Sequence, residues 1–267
     1  MSRLLIHDTL VTSPWAAPAR AGRDETAVPA EAHETLKAAD LGEDDAALLP
    51  AGELLDLHPS HRVVPDVAVV AGTTGTIRMR VPVRPDEIER SAVYLSETTR
   101  TAELLARALL QPFYGIVPAG WTREPAADAQ VVVLDGIAAL EPPEAGFVED
   151  LSRAWLILTD TPVVSHVLVV PMTWDRARTT PVLESLAVLR ATGHRRRRDI
   201  RAALVADREI DRDALADLLT EHRTALELAD RRALLMLLQL GTRGSDLPKV
   251  PSLTFLDDPG SSEAGDA

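Results

Sequence analysis

Cysteine is missing from the sequence. That removes disulfides, thiolate nucleophiles and cysteine-ligated zinc or iron–sulfur centres. Asparagine is missing as well, glutamine occurs three times, and lysine twice against 26 arginines (28 − 2). A GC-rich genome is the simpler source of such a bias; thermophily is the other. Aromatic residues make up 3% of a chain that is 46% hydrophobic, so a core would be built mostly of Leu, Val and Ala. No run of about 18 apolar residues exists to span a membrane. The start, MSRLLIHDTL, has no apolar signal region, since His7 and Asp8 arrive too early. The expected location is the cytoplasm. Positive charge is also short: 28 basic against 41 acidic residues leaves −13. Such a balance repels nucleic acid and anionic lipid, so neither is expected as a partner.

Within 267 residues there is room for one large domain or two lobes. Leu4 to His7, Ala46 to Leu49, Val63 to Val70, Gln130 to Leu134 and Val163 to Val170 read as strands. Ile77, Met79 and Val81 alternate with polar residues or proline as another. Pro65 makes its strand an edge or bent one. Glu31 to Ala39, Glu53 to Leu57 and Asp150 to Leu158 read as helices, with Trp155 in the core. Beyond Pro171 the pattern is helical: Pro181 to Thr192 stopped by Gly193, Asp199 to Ala206, and Asp211 to Leu240 with a break near Ala229. Residues 257–267 read as a disordered tail. Strands and helices alternate up to Pro171, and prolyl breaks at Pro82, Pro85 and Pro171 flank the middle. The expected plan is α/β with two lobes: residues 1–82 plus 172–256 as one, 83–171 inserted as the other, and a ligand cleft between them.

The stretch AVYLSETTRTAELLARALL, Ala92 to Leu110, is a strand, a hydroxyl-rich turn and a helix. Ser96, Thr98, Thr99 and Thr101 surround Arg100 at the helix start. Unpaired N–H groups, hydroxyls and a guanidinium there suit a carboxylate or phosphate. The plainer reading is that Thr98 or Thr99 caps the helix. Ser13 follows the first strand and serves equally as a ligand hydroxyl or a turn residue. His166 is either a buried histidine bonded to a neighbour or a general base in the cleft. Asp135, beside Gly136, is a turn residue or faces the ligand. His58 and His61 lack a third ligand, so no metal site is expected. The Arg195 to Arg198 run reads as a solvated helix start.

Several runs then match a family in order and spacing. Asp45 to Pro50, Val63 to Met79 with Gly72 and Thr76, Val93 to Ala102, Leu134 to Leu140, and Asp150 to Pro162 with Trp155 resemble the futalosine-pathway menaquinone-biosynthesis family, in its chorismate dehydratase branch. The resemblance implies a periplasmic-binding-protein-like fold of type II. It also implies an enzyme that removes water from chorismate to give 3-[(1-carboxyvinyl)oxy]benzoate, with no cofactor. It implies that Thr99, Arg100 and Thr101 help hold the ligand's carboxylates, and the dehydratase reading expects Thr76 to converge with them; Thr98 is a candidate from the hydroxyl turn alone. Polar positions usual in the family are Val11, Ala51 and Ile137 here, and His166 stands where a small residue is usual. A divergent dehydratase and a non-catalytic binding protein for a small aromatic or carboxylic acid both fit these departures.

Overall fold

The computed structural model describes residues 2–22, 25–143, 145–206, 208–210 and 212–258. The expected tail lies largely outside the described residues. Among the described residues, ten strands form two five-stranded sheets. The first has the order β2 (Ala30–His33), β1 (Leu4–His7), β3 (Ala46–Pro50), β10 (Val164–Pro171), β4 (His61–Val70). Strand β1 runs parallel to both neighbours, while β10 is antiparallel to β3 and β4. β1, β3 and β10 are buried along their whole lengths, which is why they read as unbroken apolar runs. The second sheet has the order β7 (Val117–Thr122), β6 (Arg90–Ser96), β8 (Val131–Leu134), β5 (Arg78–Val81), β9 (Phe147–Asp150).

The expected helix at Glu31 to Ala39 is instead β2 followed by a 3-10 turn at Ala38–Asp40. Ala and Glu favour helix locally, but AEAH completes the open edge of β1, with Leu4 opposite Ala30. β7 and β9 escape a pattern search because both are partly exposed edge strands, one of them carrying Pro118 and Gly120. β4 is an edge strand, as Pro65 requires. Its outer side is covered by backbone from elsewhere: Val63 N–H donates to Thr254 O at 2.9 Å, and Leu226 N–H donates to Pro65 O at 2.9 Å.

Sheet membership moves the lobe boundaries. β5 already belongs to the second sheet and β10 already belongs to the first. The chain therefore crosses at residues 71–77 and 160–163, ahead of the prolines at 82 and 171, which end strands rather than connect lobes. Asp150 pins the first crossing by accepting from Gly75 N–H at 3.1 Å while capping α4 (Leu151–Thr159). The C-terminal helices are shared between lobes. α5 (Arg176–Arg195) packs on α1 (Ser13–Ala21), whereas α8 (Leu228–Gly241) packs on α3 (Arg100–Leu109) of the second lobe. α5 runs through both Pro181 and Gly193. Gly193 does not stop it: a Cβ there would lie 2.0 Å from Pro14 O, so glycine permits the close packing on α1. The break in the last long segment falls after α7 (Arg212–Glu221), before Leu228, and Asp230 belongs to the α8 cap.

One core cluster runs from the first sheet, through Leu49 and Val167, to Val93, Leu105 and Trp155 of the second lobe. Another fills the far face of the first sheet around Trp15 and Trp174. Each such buried side chain stabilises by about 1.5–3 kcal/mol. A third, smaller cluster matters for the site. Leu215 and Leu218 of α7 and Val205, just after α6 (Arg197–Leu204), pack on Leu10 of the first lobe and reach Ile137 and Leu140 of the second. The α6–α7 arm thus spans the two lobes. Among the described residues, no helix is long and apolar enough to cross a membrane.

Candidate functional site

A cavity of about 430 Å³ opens between the lobes. Its walls are the carboxyl end of β1 with the following turn, the β6–α3 turn, and the Asp135–Ala138 segment after β8. This is where α/β sheets place ligands. Leu204 and Arg208 of the α6–α7 arm form one side.

Asp135 caps the 3-10 turn Gly136–Leu140, and Gly136 takes a left-handed φ of 65° there. Its carboxylate accepts from Thr99 Oγ1 at 2.5 Å, from Gly136 N–H at 2.7 Å and from Thr76 Oγ1 at 3.4 Å. Burial pushes its pKa up, against the opposing pull of the Thr99 hydrogen bond. Arg80 of β5 steadies the turn by donating to Glu141 O at 2.6 Å and Ala138 O at 3.2 Å.

The hydroxyl-rich turn is divided among separate tasks. Thr99 caps α3, accepting from Ala102 N–H at 3.2 Å while its own proton goes to Asp135. Thr101 is buried and joins the lobes: it accepts from Gly52 N–H at 2.9 Å and donates to Ser165 O at 3.1 Å. The contact is close enough that a Cβ on Gly52 would lie 2.6 Å from the Arg100 carbonyl carbon. Arg100 is ion-paired with Asp56 and does not line the cavity. Thr98 is buried, with no hydrogen-bond partner for its hydroxyl among the described residues. Ser96 and Glu97 line the cavity, Glu97 at a φ of 50°. The turn is therefore not a single anion nest. Thr76 and Thr99 meet at one carboxylate, while Thr98, Arg100 and Thr101 are turned elsewhere. Ser13 is buried at the start of α1 and belongs to a different pocket.

His166 has a partner that the sequence reading passed over, His7 at the end of β1. His7 Nδ1 and His166 Nε2 lie 3.0 Å apart, with the rings stacked at 5.3 Å. His166 Nδ1 is 3.1 Å from Ser165 Oγ. A register shift in the β10–β4 pairing falls between Val164 and His166. Thr12 donates to His7 O and accepts from Thr9 N–H at 3.0 Å, closing the turn after β1. His7 lines the cavity and His166 stands behind it. Burial lowers the His7 pKa to about 4, and burial with two neighbouring histidines holds His166 well below 6.5. Both rings are neutral at pH 7, so two nitrogens 3.0 Å apart share one proton.

The rest of the lining is acid-rich. Asp8 is ion-paired with Arg20, and burial raises its pKa; Glu34 and Glu97 are near it in the cavity wall. Arg208 is ion-paired with Glu141. His7, Asp8, Arg20 and Arg208 carry no motif, and only their positions after strands or on the arm give them a role. Ile137 adds an apolar patch to the wall. Among the described residues no group of three His, Asp or Glu side chains is placed to hold a metal.

No curated protein sequence matches the chain. Solved structures match its fold. Protein AF1704 from Archaeoglobus fulgidus is similar at a TM-score of 0.66 and 14% identity, covering 90% of this chain and 96% of that one. The alkanesulfonate-binding protein SsuA from Xanthomonas axonopodis pv. citri, bound to MOPS, is similar at 0.54 and 10% identity, covering 95% and 96%. The zinc-bound ligand-binding component of an ABC-type import system from Staphylococcus aureus is similar at 0.56 and 11% identity, covering 100% and 98%. The architecture is thus the two-lobed α/β fold of periplasmic binding proteins. A family model described as menaquinone biosynthesis matches residues 6–243, nearly the whole of this architecture, and the chain belongs to that family.

Proposed function

We propose that this protein is a chorismate dehydratase-like lyase, removing water from chorismate to give 3-[(1-carboxyvinyl)oxy]benzoate. One observation carries the reading. A neutral buried histidine backed by a second one, and a carboxyl whose pKa burial has raised, line the same interlobe cavity. The elimination needs a ring proton accepted and a ring hydroxyl released as water. His7 is the acceptor, able to pass charge to His166 across their shared proton. Asp135, whose pKa burial raises, is the group for returning a proton to the departing hydroxyl, and Thr99 and Thr76 hold the carboxyl in place. The ring becomes aromatic as the C–H and C–O bonds break. That driving force leaves orientation as the main demand on the protein. Arg20 and Arg208 each hold one carboxylate already, but a guanidinium has five donors and can accept a second. They are the groups that would meet the ligand's two carboxylates.

A second reading is a non-catalytic binding protein for a small aromatic or carboxylic acid. It is favoured by the engagement of Arg100 with Asp56, by the acid-rich wall, and by Val11 and Ala51 at positions usually polar in the family. Incubation of the purified chain with chorismate, followed by mass spectrometry for a product lacking one water, separates the two. Product formation above the spontaneous rate supports the lyase. Saturable binding with no product at stoichiometric protein leaves only the binding reading.

A further inference from the structure

We propose a second ligand site, outside the interlobe cavity, for a small molecule with an anionic head and an apolar body. It is a pocket of about 390 Å³ between the start of α1, the carboxyl end of α5, α6, and the segment following α7. Arg190, Arg197, Arg201 and His194 line it, and no carboxylate does so among the described residues. This is unusual for a chain of net charge −13. Several of its other arginines carry carboxylates, among them Arg3 on Asp45, Arg176 on Asp66, Arg223 on Asp230 and Arg231 on Asp257, while others on the surface stand alone among the described residues. Among the described residues the pocket arginines have no ion pair. Arg190 rests over the Trp15 ring at 5.9 Å, and Arg197 makes only long contacts with His194, at 3.3 and 3.4 Å. Basic side chains at a helix end are ordinarily explained by the negative pole of the helix. That accounts for His194 and Arg195 in the last turn of α5. It does not account for Arg201, a turn into the next helix, facing the same space.

The convergence follows from helical spacing. Arg197, Ile200, Arg201 and Leu204 stand at i, i+3, i+4 and i+7 on α6, so they share one face. Three of them face this pocket, and Leu204 reaches the interlobe cavity. Guanidinium groups bind phosphate and carboxylate with paired donors, and converging unpaired ones are the natural receptor for such a group. Pro14, Ile200 and Leu219 supply an apolar surface beside them for a ring or short chain. Gly193 in the floor keeps Pro14 within reach of α5. Because α6 walls both pockets, a ligand that orders it here also holds Leu204 over the other.

The probe is phenyl phosphate, titrated calorimetrically at low salt, with inorganic phosphate and phenol run alongside. Saturable binding of phenyl phosphate is expected, with inorganic phosphate weaker and phenol not detected. Replacing both Arg197→Ala and Arg201→Ala is expected to weaken phenyl phosphate at least tenfold. Replacing Arg195→Ala and Arg198→Ala removes the same charge from the same stretch outside the pocket and is expected to leave affinity unchanged. Circular dichroism of both variants checks the fold. No saturable binding to the unaltered chain, equal losses in the two pairs, or full retention in the first pair would each overturn the site. None of these results depends on turnover of chorismate, so the two proposals fail independently.

Discussion

The two pockets beside α6 are nearly equal in volume, about 430 and 390 Å³, yet opposite in character. The interlobe cavity gathers Asp8, Glu34, Glu97 and Asp135, and each arginine near it is already spent on a carboxylate. The other gathers arginines that carry none among the described residues. The difference comes from what supplies the walls. The interlobe cavity is lined by strand ends and tight turns, where side chains are held by backbone and buried. Desolvation there moves pKa values: His7 and His166 down, Asp8 and Asp135 up. The arginine pocket is lined by one exposed helix face and a helix end, where charges stay solvated and paired partners are optional. Buried groups with displaced pKa values suit proton transfer; solvated guanidiniums suit ion capture.

The largest test of that contrast is at Asp135. Asp135→Asn keeps the shape and removes the proton donor, so chorismate conversion should fall about 10²–10⁴-fold, the usual worth of acid–base catalysis. Phenyl phosphate affinity should not change. A variant converting chorismate at the unaltered rate would remove Asp135 from the chemistry.

Next in size is the acid response. The His7 pKa is lowered from 6.5 to about 4 in the fold. Between those values the unfolded chain binds the proton and the folded chain does not, so stability rises with pH across that window and levels off above it. The shift is worth about 3.5 kcal/mol at most, at about 1.4 kcal/mol per unit. His166 and His222, also lowered by burial, act in the same direction; Asp135 and Asp150, raised by burial, act in the opposite one, losing stability as pH rises. Denaturant midpoints at pH 7 and pH 4.5 measure the sum, and His7→Gln should flatten the difference.

Gly193→Ala tests the other pocket's floor. The added methyl meets Pro14 O, so α1 and α5 must separate, at about 1–3 kcal/mol of stability. Phenyl phosphate should weaken while Asp135-dependent chemistry persists. The smallest effect is expected at Arg100→Ala. Its partner Asp56 is half exposed, so the loss is about 0–1 kcal/mol, with ligand affinity unchanged. A strong loss of chorismate affinity would return Arg100 to the cleft.

Much of this was legible in the residues. β1, β3, β4, β8 and β10 are apolar enough that only burial explains them, and Trp155 in an amphipathic helix could only point inward. The edge strands were not legible, since AEAH and VPAGWT become strands by pairing, not by propensity. The hydroxyl turn was found, but its division was not. Which threonine caps, which latches and which holds Asp135 depends on Gly52, Ser165 and Asp135, residues 36 to 64 positions away. His7 could not be singled out, because a lone histidine at a strand end acquires a partner only when β10 lies beside β3.

By itself the sequence determined the class of molecule: a cysteine-free acidic α/β chain, with family runs in order and a hydroxyl-rich turn at a helix start. Apolar periodicity and turn chemistry are local, and local physics sufficed. Only the tertiary structure decided where the chain crosses between lobes, that His7 and His166 share a proton, and that Arg100 serves Asp56. It also decided that α5 and α6 bring their arginines into one space. Those outcomes rest on contacts between distant segments, and on burial, which sets both partner and pKa and is not a property of any residue alone.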